Sequence, residues 1–393
     1  MPTTISPSLS RKIRFFSLLS MVLLVYVHGY DLEQRYLQPY TLVEERLSFT
    51  TFTQYLLANG LFRFRLPVLF IISAYLLAMR PPAPHGPLVR RRVRTLLVPF
   101  VLWSGIALLT TWGLEHWALT APGIEAARLT WYGDGLISRA TWGQRLSIWL
   151  LEPVAFQLWF LRSLFVYIAA YPLLRRAVVA RPRVTFAIAT LFWLADFGIP
   201  LLFGGEGLLA FLIGIWLGVR GADVETRPSW VRLGPLTIVW LTAAACKTYL
   251  AFQGVSEFVT PMVLLHKLVV ASGMLVMWYG IDGLVTRAMD NRAFAWVSGF
   301  SFIIYAAHVP VINYALFWIF PLVEHLPGYR MAVFVLLPLL VMAGSVLVGA
   351  TLRRFTPRAY GWLTGGRGGM SGELSAAPAT PSRYGPPLQT PAS

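Results

Sequence analysis

Phe62-Arg63-Phe64-Arg65-Leu66-Pro67-Val68-Leu69-Phe70-Ile71-Ile72-Ser73-Ala74-Tyr75 sets two guanidinium groups at the start of an apolar run that continues to Met79. A bilayer core needs about 20 mostly apolar residues per helix, and Leu57–Met79 meets that length. A charge inside such a span costs about 2.5–3.5 kcal/mol on insertion scales, so each arginine needs a partner or a task. On a regular helix, residues two apart point to nearly opposite sides, so at most one of the pair directly faces any given cavity. Pro67 cannot donate to the Arg63 carbonyl, which predicts a spare acceptor and a kink. Snorkelling to the headgroups and a functional role fit this stretch equally well.

Working outward, the same length rule finds about ten spans. They are Arg14–His28, Leu57–Met79, Leu96–Leu114, Leu158–Leu174, Thr185–Phe203, Gly207–Val219, Leu236–Ala251, Pro261–Val285, Val297–Phe320 and Met331–Leu352, the sixth being short. The expected fold is therefore all-α, a polytopic transmembrane helical bundle. With 56% hydrophobic and only 13% charged residues, a water-soluble globular chain is excluded. Arg11, Lys12 and Arg14 before the first apolar run imitate a secretory signal, but no small-residue cleavage site follows His28-Gly29-Tyr30. We read it as an uncleaved first span.

The net charge of +16 raises nucleic acid as a partner, yet the arginines cluster between apolar runs and not on one amphipathic face. The positive-inside rule accounts for them instead. Arg80, Arg90, Arg91, Arg92 and Arg94, then Arg175, Arg176, Arg181 and Arg183, then Arg220, Arg227, Arg287 and Arg292 fall in loops of one side, while most acids fall on the other. Both termini are expected in the cytoplasm of a multi-pass inner-membrane protein. Two segments on the acidic side, roughly 30–52 and 115–144, exceed the length of an ordinary connection and carry aromatics and charges suited to covering a sugar. A transmembrane domain is expected over 1–355 and a disordered tail over 356–393, where Gly, Pro, Ser and Ala dominate.

Few polar groups interrupt the spans. His28 closes the first, and its imidazole titrates near neutrality without prior perturbation, although a histidine at a helix end is ordinary. Arg90-Arg91-Arg92-Val93-Arg94 anchors topology and would also suit an anionic cofactor, because guanidinium forks grip phosphates. Glu152, Gln157, Trp159, Arg162 and Ser163 bring polarity to the fourth span, where Glu152 and Arg162 would neutralise each other in a re-entrant chain. Ser301, Tyr305 and His308 make one polar stripe, equally suited to a helix–helix hydrogen bond. His266-Lys267 has no evident role. The single cysteine, Cys246, is expected to be a buried structural thiol. No metal-ligand spacing, phosphate-cradling glycine loop or nucleophile elbow occurs.

Taken in order, these segments resemble the acyltransferase-3 family of membrane O-acyltransferases. The resemblance rests on His28, then Pro67, Phe70, Ser73, Ala74 and Tyr75 with Arg63 or Arg65 upstream. It continues through Arg91, Arg94 and Pro99, Trp159-Phe160-Leu161, Gly214, and Ser301, Tyr305 and His308. It implies His28 as catalytic base, Arg63 or Arg65 as oxyanion stabiliser, and Arg91 and Arg94 as binding sites for the phosphates of acyl-CoA. Ser73, Tyr75, Trp159, Tyr305 and His308 are implied as substrate-binding or structural residues. Acyl-CoA, with acetyl-CoA first among donors, would be a co-substrate and no cofactor would be permanently bound. The acceptor would be a carbohydrate or lipid-linked glycan, and polysaccharide-biosynthesis machinery a partner. The pattern departs from the family at Ser17, where an arginine or lysine is usual, and at Ala74, where glycine is. A transporter or flippase of a glycan precursor, or a non-catalytic subunit of an export assembly, are the rival classes.

Overall fold

The computed structural model describes residues 5–29, 39–80, 84–199 and 203–367. Its main helices are α1 (Pro7–His28), α2 (Phe49–Ala78), α3 (His85–His116), α4 (Phe156–Ala169), α5 (Tyr171–Ala180), α6 (Pro182–Leu194), α7 (Gly205–Val219), α8 (Leu233–Ala251), α9 (Ser256–Gly280), α10 (Ser301–Val323), α11 (Tyr329–Phe355) and α12 (Pro357–Thr364). Ser6 caps α1 by accepting from the Leu9 amide at 2.9 Å, with Pro7 in the first turn, where its missing N–H costs nothing. The architecture is all-α, and the one β pairing among the described residues is a two-residue antiparallel contact of Gly198–Ile199 with Phe203–Gly204.

Among the described residues, six helices are long and apolar enough to cross a membrane: α2, α3, α8, α9, α10 and α11. A seventh forms if α4 and α5 are one span, but they meet at 62°. The break falls at Tyr171-Pro172, where proline cannot continue the hydrogen-bond ladder. The expected span Thr185–Phe203 is instead a 13-residue helix ending at Leu194 and followed by the β pairing, and α7 is also short, at 15 residues. The 22 residues of α1 carry Arg11, Lys12 and Arg14 near their start.

α2 is the least regular helix. Leu56–Gly60 widens into a π-helical turn, Leu61–Phe64 tightens into a 3₁₀ turn, and α geometry resumes at Arg65. The distortion thus lies upstream of Pro67, at Asn59 and Gly60. Lys247, fully buried on α8, holds it by donating to the Pro39 carbonyl at 2.8 Å and to the Asn59 carbonyl. Arg63 donates to the Asn59 side chain. A π turn leaves backbone carbonyls misaligned, and here a buried ammonium supplies a donor.

The second half of α2 is regular and packs on α7 at close range. A Cβ added at Gly214 would overlap the Ile71 carbonyl and approach Ala74 Cβ to 2.7 Å. At Gly218 it would meet Ala78 Cβ at 2.7 Å. Small residues on one helix thus let two backbones touch, the usual means of helix association in lipid.

Two further expectations need correction. Cys246 is exposed on the outer side of α8, because the face that carries Ala243, Ala244 and Lys247 is the one packed inward. The tail does not begin at 356: α12 is folded, with Tyr360 and Thr364 buried. This helix and the turn after it have inward partners, since Trp103 donates to the Leu363 carbonyl at 3.0 Å and Arg367 to the Thr95 carbonyl at 2.8 Å. Residues 368–393 lie outside the described part, as do 30–38 of the first long loop.

Candidate functional site

One end of the bundle gathers cations. Arg14 donates to the Ala295 carbonyl and Ser298 hydroxyl at 3.1 Å, Lys12 pairs with Asp282 at 2.6 Å, and Arg353 stacks over Phe300. Burial, with Arg92 nearby, lowers Arg367 to about 10. Arg91 and Arg94 belong to this end and are exposed.

Toward the other end the helices part around a cavity of about 1360 Å³. His28 faces it from the last residue of α1, and Arg63 and Arg65 from α2. Phe156, Gln157, Trp159 and Arg162 come from α4, Glu206 and Gly207 from α7, His266 from α9, and Phe317, Phe320 and Glu324 from the far end of α10. Both arginines line this one space, against the expectation for a regular helix. In the 3₁₀ turn each residue advances about 120° instead of 100°, which narrows the angle between Arg63 and Arg65 and lets a wide cavity meet both.

Arg65 is not snorkelling. It is 2% exposed, and Ser20 donates to its carbonyl at 3.2 Å. Ser20 precedes His28 by eight residues, or roughly 12 Å along the helix. Its guanidinium donates back to the Phe62 carbonyl at 2.7 Å, which ties the 3₁₀ turn to the start of the α segment.

His28 sits between two rings. Its imidazole stacks on His308 with centroids 5.6 Å apart and meets Phe156 edge-on at 5.0 Å. His308 is fully buried, with Nδ1 at 2.8 Å from the Tyr305 carbonyl and 3.0 Å from that of Ile304. Such contacts fix the Nδ1–H tautomer of a neutral ring. Gln157 donates to the carbonyls of Tyr305 (3.3 Å) and Ala306 (3.1 Å), and the Tyr305 hydroxyl donates to the Gln157 carbonyl at 2.8 Å. These bonds lock α4 to α10 beneath the cavity, so Tyr305 and His308 shape the ground on which His28 rests.

Other sequence-derived candidates lie elsewhere. Ser73 and Tyr75 do not line the cavity; both lie beyond Arg65 on the regular part of α2, where the Tyr75 hydroxyl donates to the Ala222 carbonyl at 3.3 Å. Ala74 meets Gly214, so the missing glycine on one helix is balanced by glycine on the other. Ser17 donates to the Ile13 carbonyl at 2.8 Å and takes no part in the cavity. Arg162 donates to the Leu151 carbonyl, and Glu152 shares the cavity with it.

Four cavity or near-cavity groups were given no role by the sequence reading, Glu206, Asp196, Tyr40 and Lys247, and the pair His266-Lys267, noticed there, was left unplaced. Glu206 contacts His266 Nε2 at 3.3 Å, and Lys267 pairs with Asp196 at 2.8 Å. Tyr40 donates to the second Asp196 oxygen at 2.7 Å. Burial works to raise the Asp196 carboxyl, but hydrogen bonds from Lys267 and Tyr40 outweigh it and hold it below its ordinary range. Burial and the same carboxylate push the Tyr40 phenol up to about 12. The fourth, Lys247, could have been found as an ionisable residue alone in an apolar run.

Comparison with known proteins gives a consistent result. The family model for the acyltransferase domain of the acyltransferase-3 type matches residues 13–354. The succinoglycan biosynthesis protein ExoH of Rhizobium meliloti (strain 1021) is 26% identical over 319 residues, which cover 80% of this chain and 82% of that protein. No solved structure matches.

Proposed function

Because the chain belongs to the acyltransferase-3 family, and so is a membrane-embedded acyltransferase of groups other than aminoacyl, we propose that it moves an acetyl group from acetyl-CoA to a hydroxyl of an exported or cell-surface polysaccharide. The relative named for succinoglycan biosynthesis supports the choice of polysaccharide. The observation that carries the mechanism is the meeting of His28, Arg63 and Arg65 in one cavity.

In that cavity the acceptor oxygen attacks the thioester carbon, forming the C–O bond as C–S breaks. His28 takes the hydroxyl proton and passes it to the departing thiolate, a role of general base then acid that contributes about 10²–10⁴-fold. Arg63 and Arg65 lie where charge gathers on the carbonyl oxygen, and loss of one such donor costs about 10²–10³ in turnover. The CoA phosphates rest on Arg91 and Arg94 at the basic end, with the thioester arm threading between helices toward His28. In this reading the basic end faces the cytoplasm of an inner membrane, both termini lie there, and the shorter helices complete about ten spans.

The test uses purified full-length protein in lipid nanodiscs with labelled acetyl-CoA and an exported polysaccharide. Label is expected in alkali-labile esters on the polysaccharide and to fall at least about 10²-fold in His28→Ala that still inserts. Unchanged labelling in that variant sinks the assignment of His28. Movement of glycan without acetyl-CoA would favour a flippase.

A further inference from the structure

The cavity that His28 faces also holds a carboxylate whose flanking backbone is tightly packed. Glu206 is the second residue of α7 and lies between two glycines that have no room for a side chain. A Cβ at Gly205 would stand 2.6 Å from the Phe192 carbonyl oxygen. At Gly207 it would meet both the Phe70 ring and the Tyr167 hydroxyl at 3.0 Å. The backbone on either side of Glu206 is therefore pinned against α6, α2 and α4. Its position in the first turn also sets a negative charge against the positive end of the helix dipole.

The side chain has a buried partner. His266, 2% exposed, stands behind it with Nε2 at 3.3 Å. Glu206 itself keeps 31% of its side-chain surface open, and both residues line the cavity. Arg63 lines the same cavity as His28 and Glu206. Aromatic rings of Phe70, Phe156 and Trp159 line the space alongside.

An ionised carboxylate accepts hydrogen bonds and donates none, and its two oxygens match two hydroxyls on adjacent carbons of a sugar ring. Flat aromatic surface beside it suits the apolar face of the same ring. We propose that Glu206, oriented by His266, is the residue that grips hydroxyls of the acceptor sugar and so selects which neighbouring hydroxyl reaches His28. This rests on the reading of the chain as an O-acyltransferase of carbohydrate. Glu206 touches substrate without exchanging a proton with it, while His266 is a positioning residue.

The experiment measures steady-state kinetics of the full chain in nanodiscs. Labelled acetyl-CoA is the donor, and methyl gluco-, galacto- and mannopyranosides with their monodeoxy forms are the acceptors. Glu206→Gln is expected to raise the acceptor KM roughly 10- to 100-fold while leaving kcat and the acetyl-CoA KM nearly unchanged. For wild type, one deoxy sugar should lose a similar factor, and Glu206→Gln should no longer distinguish that sugar from its parent. Glu206→Asp, which keeps the charge, should retain part of the discrimination, and His266→Gln should raise the acceptor KM by a smaller factor. An acceptor KM unaltered in Glu206→Gln, or a loss confined to kcat, overturns the proposal. Wild-type protein that labels neither these sugars nor an exported polysaccharide overturns the acyl-transfer reading itself, which keeps the two failures apart.

Discussion

The two halves of α2 differ in almost every physical respect although they are one continuous run of residues. Leu56–Phe64 departs from α geometry twice, carries Asn59 and Arg63, and is held by a buried lysine from another helix. Arg65–Ala78 is a regular helix whose backbone touches α7 through Gly214 and Gly218. The irregular half and its junction with the regular one, at Arg63 and Arg65, bring charge to the cavity, and the rest of the regular half fixes where that cavity stands. A polar site in a membrane needs both, since a charge is tolerated only where surrounding structure determines its place.

The largest effect should come from breaking the regular half. Gly214→Val places branched carbon into the Ile71 carbonyl, a backbone contact that no rotamer relieves. Loss of folded protein is expected, read as disappearance of the monodisperse peak in detergent. Normal yield and unchanged melting would show that the two helices are not tightly apposed.

Next in size is a change where the two halves meet, at the first residue of the regular helix. Arg65→Ala removes a cation that is 2% exposed and lines the cavity. Turnover should fall about 10²–10³-fold with the protein still folded, because an electrostatic donor is lost. Arg65→Lys should recover only part, since an ammonium lacks the planar fork. If Arg63→Ala costs the larger factor, the oxyanion role belongs to the 3₁₀ turn and not to the start of the regular helix.

This same contrast separates what was legible in the sequence from what was not. Apolar runs found α2, α3, α8, α9, α10 and α11 because length and hydropathy are local properties. The order of polar residues singled out His28, Arg63, Arg65 and Trp159, which the fold brings to one cavity. Helical periodicity misled at Arg63 and Arg65 because it presumes 3.6 residues per turn, and the π and 3₁₀ turns there are stabilised by Lys247, nearly 190 residues away in the chain. Glu206 looked like one more acid in a loop. Only the packing of Gly205 and Gly207 shows that it is the first turn of a helix facing inward.

The smallest effect concerns the rim of the site, at Asp196, which joins Lys267 of α9 to Tyr40 of the first long loop. Its carboxyl is held below the usual 3.8, so the ionised form contributes stability above that pH, and the contribution is lost as pH falls through the depressed folded value. Asp196→Asn keeps the shape and an acceptor but carries no charge. Melting in detergent near pH 7 should therefore be lower for the variant than for wild type, by a modest amount because the aspartate side chain is 41% exposed. As acidification passes through that depressed folded value, below the usual 3.8, the wild-type carboxyl becomes neutral as well, and the two curves should converge. A gap that persists unchanged into that acid range would mean that the loop is held by the hydrogen bonds alone, with the ion pair to Lys267 adding nothing.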